Sequence, residues 1–180
     1  MMKNKLVIVV GQEGAGKSAV VRALLPRTDP GAQIDAEDLG QINPFSFDDH
    51  FKQLLWKNVA MLTRNYWSAG ISTVIAGSFI NDYKDYKGFR THLTEKVDIY
   101  LIHLCTSKPT RDKRRIDRSK PSTQEWRDWL DEHHPEDISL RMADADYRYI
   151  RVENSELSLD ETVDQIVASI PNVYARQHGS

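Results

Sequence analysis

Gly11, Gly14 and Gly16, followed directly by Lys17 and Ser18, stand in the stretch VIVVGQEGAGKSAVV (7–21) and complete the pattern G-x-x-x-x-G-K-[ST]. Each residue type has a chemical reason to be there. Glycines let the backbone curl until successive N–H groups point inward at phosphate oxygens. A helix opening just behind the loop adds its positive N-terminal end. Lys17 supplies a cation for the β- and γ-phosphates of a nucleoside triphosphate, and Ser18 offers a hydroxyl to Mg²⁺. The nucleotide-binding set expected from this stretch is Gly11, Gln12, Glu13, Gly14, Ala15, Gly16, Lys17, Ser18 and Ala19.

Two further groups carry chemistry. In QIDAEDLG, Asp35 directly follows the apolar Ile34, and Asp38 lies three residues later. A carboxylate here can help to complete a Mg²⁺ shell; one of the two can equally be a helix N-cap. The segment KPTRDKRRIDRSK (108–120) holds seven Lys/Arg and two Asp, a local charge of +5 in a chain of net charge −2. Arg111, Arg114 and Arg118 fall at i, i+3 and i+7, one face of a helix.

The elements that must position these groups alternate. Leu6–Val10 is a continuous apolar run rich in β-branched residues, expected of a strand buried on both faces. A helix opening near Gly16 carries Ala19, Val20, Ala23 and Leu24 and stops at Pro26. A second short strand ends at the Asp35 segment. Residues 47–69 repeat apolar side chains at helical spacing, with Ser46 and Asp49 as the cap and Gly70 as the stop. Strands follow at 72–77, 97–104 and 147–153, with a short polar helical segment between the first two and a charged helical region over about 109–131. SLDE (158–161) caps a last helix, with Val163, Ile166, Val167 and Ile170 inward and Pro171 at its end. Strands alternating with helices imply right-handed crossovers, a mostly parallel sheet covered on both faces, and ligands at the C-terminal strand ends.

A chain of 180 residues with 40% hydrophobic and 28% charged residues suits one globular domain over 1–180. Its single cysteine, Cys105, has no internal partner. With no signal-peptide core and no stretch approaching a membrane span, a cytoplasmic protein without a membrane partner is expected. No spacing resembles a zinc site, and the adjacent His133 and His134 read as a loop. Trp126 and Trp129, three apart, read as packing or lid contacts. Phe45, Phe47, Tyr83 and Tyr86 are candidates for an acceptor pocket.

On the phosphate-loop motif and its strand–loop–helix setting, the chain resembles a small P-loop kinase of the nucleotide-kinase-like group. That group includes gluconate and shikimate kinases, zeta-toxin-like kinases and the kinase domain of polynucleotide kinase. The resemblance implies a three-layer α/β/α fold with a five-stranded parallel sheet in the order 2-3-1-4-5. It also implies an acceptor site beside the second strand and an arginine-bearing helical lid, here about 108–131. An R-x-x-x-R lid pair matches Arg114 and Arg118, with Arg115 a neighbouring candidate, closing over the transferring phosphoryl group. The lid's net positive charge is expected to keep it open until phosphates arrive. The resemblance makes a second-strand carboxylate the base; Asp35 is favoured over Asp38 as the nearer to the strand end. It places Asn154, after the last strand, on the adenine side. The string TVIAGSFIN ends in Gly77-Ser78 without the usual acidic residue, as in gluconate-kinase-like sequences. No guanine-reading N-K-x-D occurs. The expectation is therefore ATP- and Mg²⁺-dependent transfer to a hydroxyl of a small molecule. The alternatives are a polynucleotide or nucleic-acid-base hydroxyl kinase and a non-catalytic nucleotide-binding regulator.

Overall fold

A computed structural model of the chain describes residues 3–118, 122–136 and 138–174; residues 119–121 of the anticipated lid lie outside them. Five strands, β1 (Lys5–Gly11), β2 (Gly31–Asp35), β3 (Thr73–Gly77), β4 (Asp98–Cys105) and β5 (Arg148–Glu153), form one sheet in the order β2-β3-β1-β4-β5. Every pairing is parallel, with Val7 opposite both Ile75 and Tyr100. Eight α-helices among the described residues flank them: α1 (Lys17–Leu24), α2 (Ala36–Leu39), α3 (Asp49–Ser68), α4 (Tyr83–Arg90), α5 (Lys108–Ile116), α6 (Gln124–His133), α7 (Leu159–Ser169) and α8 (Pro171–Tyr174).

The central strand explains the layering. Leu6 to Val10 are all buried, and alternate side chains serve opposite faces. Leu6, Ile8 and Val10 pack with Phe51, Leu55, Trp56 and Val59 of α3 and Phe89 of α4. Val7 and Val9 pack with Val20, Val21 and Leu24 of α1 and Val163 and Ile166 of α7. Because all strands run the same way, their C-terminal ends gather Gly11, Asp35, Ser78, Thr106 and Asn154 along one edge.

Some boundaries differ from the sequence expectation. The cap of α3 is Asp48, whose carboxylate accepts from the Phe51 N–H, while Ser46 donates to Asp48 rather than capping the helix. Phe47 therefore precedes the helix and is exposed, as is Leu54. On α1, Val21 is buried and Ala19, expected inward, is exposed; Ala23 packs against the core as expected. The charged helical region consists of two helices, α5 and α6. Pro171 ends α7 as expected but also opens α8, where its missing N–H costs nothing. The Ser158 capping box of α7 is present on both sides.

Candidate active site

The loop from Gly11 to Ser18 leaves β1 and enters α1 at the sheet edge. Gly14 (φ +85°) and Gly16 (φ +97°) hold left-handed backbone that L side chains rarely adopt. A Cβ on Gly14 would also lie 2.9 Å from the Arg111 carbonyl oxygen, so α5 can pack directly on the loop. The Ala15 carbonyl accepts from Arg114 Nη1 (3.0 Å) and Asn154 Nδ2 (3.1 Å), tying the loop to α5 and to the end of β5.

Lys17 curls back over the loop and donates from Nζ to the carbonyls of Gly11 (2.8 Å) and Gln12 (3.2 Å). Burial holds its pKa below the usual lysine value, against the opposing pull of Glu13 and Glu37. Burial pushes the Glu13 carboxyl up, but Lys17 and then Arg118 outweigh it and leave it below the ordinary value. Arg118 pairs with Glu13 at 2.5 Å. A desolvated ammonium among glycine turns, with two arginines beside it, is a donor set suited to a polyphosphate, and the Ser18 hydroxyl is an oxygen donor suited to Mg²⁺.

The loop separates two cavities. One, of about 260 Å³, is lined by Gly14, Ala15, Gly16 and Ala19 with Arg114, Arg118, Asn154, Leu159 and Thr162. The other, of about 540 Å³, takes Gly11, Gln12, Glu13 and Lys17 from the loop and Glu37, Phe47, Ser78, Asn81, Asp82 and His103 from the sheet edge. Leu130, His133, His134, Pro135 and Glu136 close its far wall.

Several anticipated residues stand elsewhere than expected. Asp35 is the N-cap of α2, accepting from the Glu37 N–H (3.3 Å), with Arg22 3.6 Å from its other oxygen. It does not line the larger cavity; Glu37, two residues on, does. Asp38 is exposed in the first turn of α2. Arg114 and Arg118 line the smaller cavity, on the far side of the loop from Glu37. Asn154 lines it too, yet its side chain is spent on Ala15 and on the hydroxyl of Thr106. Of the four aromatic candidates only Phe47 lines the larger cavity; Tyr86 belongs to the core. His133 ends α6 and stacks on Trp129 (4.3 Å), which stacks on Trp126 (5.1 Å), an exposed ladder running out from the cleft.

The charge expected to repel itself is largely paired. Asp131 of α6 lies 2.9 Å from both Arg111 and Arg115, Asp112 lies 3.1 Å from Arg115, and Lys108 pairs with Asp112 and Asp128. Arg111, Arg115 and Arg127 are consequently buried. Arg115 is thereby used in holding α5 to α6. Ser78, one residue past β3, has φ +68°, a strained setting for a residue with a Cβ, and its hydroxyl is buried without a hydrogen-bond partner.

No protein-family model and no curated protein matches the sequence. Solved structures do match the fold. A sugar kinase from Janibacter sp. HTCC2649 is 13% identical with a TM-score of 0.70, over 96% of this chain and 97% of that one. A gluconokinase from Sinorhizobium meliloti 1021 is 12% identical with a TM-score of 0.69, over 97% and 96%. The APS kinase of Mycobacterium tuberculosis, solved with AMPPNP and APS, is 17% identical with a TM-score of 0.65, over 95% and 99%. With its sheet order, its phosphate loop after β1 and these neighbours, the chain has the P-loop nucleotide-kinase-like fold.

Proposed function

We infer that the protein is an ATP-dependent phosphotransferase that moves the γ-phosphoryl group to a hydroxyl of a small-molecule acceptor, with residues 1–180 acting as one kinase domain. The observation that carries this reading is the phosphate loop standing as a wall between two cavities, with Lys17 on the side of the larger one. The smaller cavity suits the nucleoside, and the larger suits the acceptor. Mg²⁺ bound at Ser18 would neutralise the phosphate oxygens. Glu37 faces the acceptor side and takes the proton from the attacking hydroxyl as its oxygen bonds to the γ-phosphorus and the bond to the β-phosphate oxygen breaks. Lys17 follows the developing charge on the phosphates. The polynucleotide alternative expects an open basic face, and the ion pairs of α5 and α6 weigh against it.

The test is ADP release from ATP across a panel of hydroxyl compounds, with matched variants. Glu37→Gln is expected to lower kcat by about 10²–10⁴-fold with the fold intact. Asp35→Asn is expected to keep most turnover and most stability, because an Asn side-chain oxygen caps a helix about as well as Asp. The reverse pattern would return the base role to Asp35. Binding of ATP with no transfer to any acceptor would leave a nucleotide-binding regulator instead.

Two more outcomes follow from the two cavities. Arg114→Ala is expected to weaken ATP affinity about tenfold, read by calorimetry, because it removes a guanidinium from the nucleotide side and leaves the Ala15 carbonyl to Asn154 alone. A large kcat loss at unchanged affinity would instead put Arg114 on the transferring group. Ser78→Gly is expected to raise stability by about 1 kcal/mol in denaturant unfolding by relieving the left-handed backbone. It is expected to lower transfer about tenfold, since the orphan hydroxyl is lost from the acceptor wall. Unchanged stability would show that the backbone at Ser78 carries no strain.

A further inference from the structure

His103 and Cys105 stand two apart on β4, so the pleat puts both side chains on one face of the strand, and both are buried. Glu136, just after α6, reaches the same place, where its Oε1 accepts from the Cys105 thiol at 3.2 Å. An imidazole nitrogen, the sulfur and a carboxylate oxygen thus all lie within 4.8 Å of one another. Ligands about 2.0–2.3 Å from a tetrahedral ion stand roughly 3.3–3.8 Å apart, so small side-chain shifts bring the three into range.

We propose that His103, Cys105 and Glu136 bind a divalent cation of the zinc class. Nitrogen, thiolate and carboxylate together suit such an ion and not Mg²⁺, which prefers oxygen alone. The surroundings fit ligands already held in place. The Tyr149 hydroxyl lies 2.9 Å from His103 Nδ1 and accepts from Arg141 Nε (3.2 Å), while Arg141 Nη2 lies 3.7 Å from Glu136. Outer partners of this kind orient metal ligands. A cysteine buried only for packing needs no carboxylate turned against it.

His103 and Glu136 also line the larger cavity, so three protein ligands leave a fourth coordination position toward the cleft. The ion would pin the end of α6 to β4 and so fix the cleft's far wall. This site stands whether or not the cleft takes a hydroxyl acceptor, because its ligands are independent of the phosphate loop.

The test titrates metal-free protein with Co²⁺, followed by Zn²⁺. One equivalent of Co²⁺ is expected to give a thiolate-to-cobalt charge-transfer band, which Zn²⁺ abolishes and excess Mg²⁺ does not. The chain has one cysteine, so the band reports Cys105. His103→Gln and Glu136→Gln are each expected to weaken binding about tenfold or more. Glu136 is exposed, so its variant remains informative if a change at buried His103 impairs folding. Lys17→Ala and His134→Ala are expected to keep the band. No band at one equivalent, or a band unaltered in Glu136→Gln, would overturn the site.

Discussion

Lys17→Ala is expected to lower phosphoryl transfer by about a thousandfold or more, with loss of nucleotide-induced stabilisation in thermal unfolding. Nζ is part-buried and held by the Gly11 and Gln12 carbonyls, so the ammonium has already lost part of its water where the phosphates would sit. An interaction made in such a desolvated place is worth far more than one in solvent. The variant's fold is expected to stand, since the lysine's hydrogen bonds go to its own loop and Glu13 keeps its pair with Arg118. The measurement is ADP formation together with the unfolding midpoint, with and without ATP and Mg²⁺. Near-normal transfer by Lys17→Ala would refute the assignment of the loop, and normal nucleotide binding without transfer would confine the lysine to the chemical step.

That loop was legible in the sequence because its chemistry is contiguous: glycines, lysine and serine carry their own geometry within eight residues. The sheet was legible for a similar reason, since a strand buried on both faces has no polar alternation to disguise it, and the resemblance supplied the strand order. Asp35 caps α2 outside the lining of the larger cavity, since proximity to a strand end serves a base and a helix cap equally well. Its spacing from Asp38 is itself a capping pattern, while only the fold turns Glu37 to the cleft. Basic residues 108–118 read as a free cationic face because, Asp112 aside, the carboxylates that pair them lie outside α5. Asp128 and Asp131 belong to α6, and nothing local in α5 announces them. His103 and Cys105 show strand spacing, but Glu136 joins them only through the fold, 31 residues beyond Cys105.

Asp131→Ala is expected to cost about 3–5 kcal/mol of stability, more than any surface substitution on α5 or α6. Asp131 lies 2.9 Å from both Arg111 and Arg115, whose side chains are only 6% and 4% exposed; without it, two guanidinium groups stay buried with Asp112 on Arg115 as their remaining carboxylate. Removing one partner of a buried charged set is costly because the others remain desolvated. The destabilisation should reach the phosphate loop, since α5 packs its Arg111 backbone against Gly14. The pH dependence carries the sign. Burial raises the Asp131 pKa, but hydrogen bonds and charge from Arg115 and Arg111 outweigh it and leave it below the usual carboxylate value. The unfolded chain therefore takes up the proton first on acidification, so the stabilisation is full above the ordinary carboxylate range and is lost as pH falls through the depressed folded value. Denaturant unfolding of wild type and Asp131→Ala should accordingly differ most at neutral pH and converge in acid. Replacing Arg111, Arg115 and Asp131 together with apolar residues of similar volume should recover much of the loss, because the cost lies in the uncompensated charge and not in the missing carboxylate. An Asp131→Ala protein as stable as wild type at neutral pH, or a deficit that does not shrink on acidification, would remove the ion-pair cluster as the link between α5 and α6.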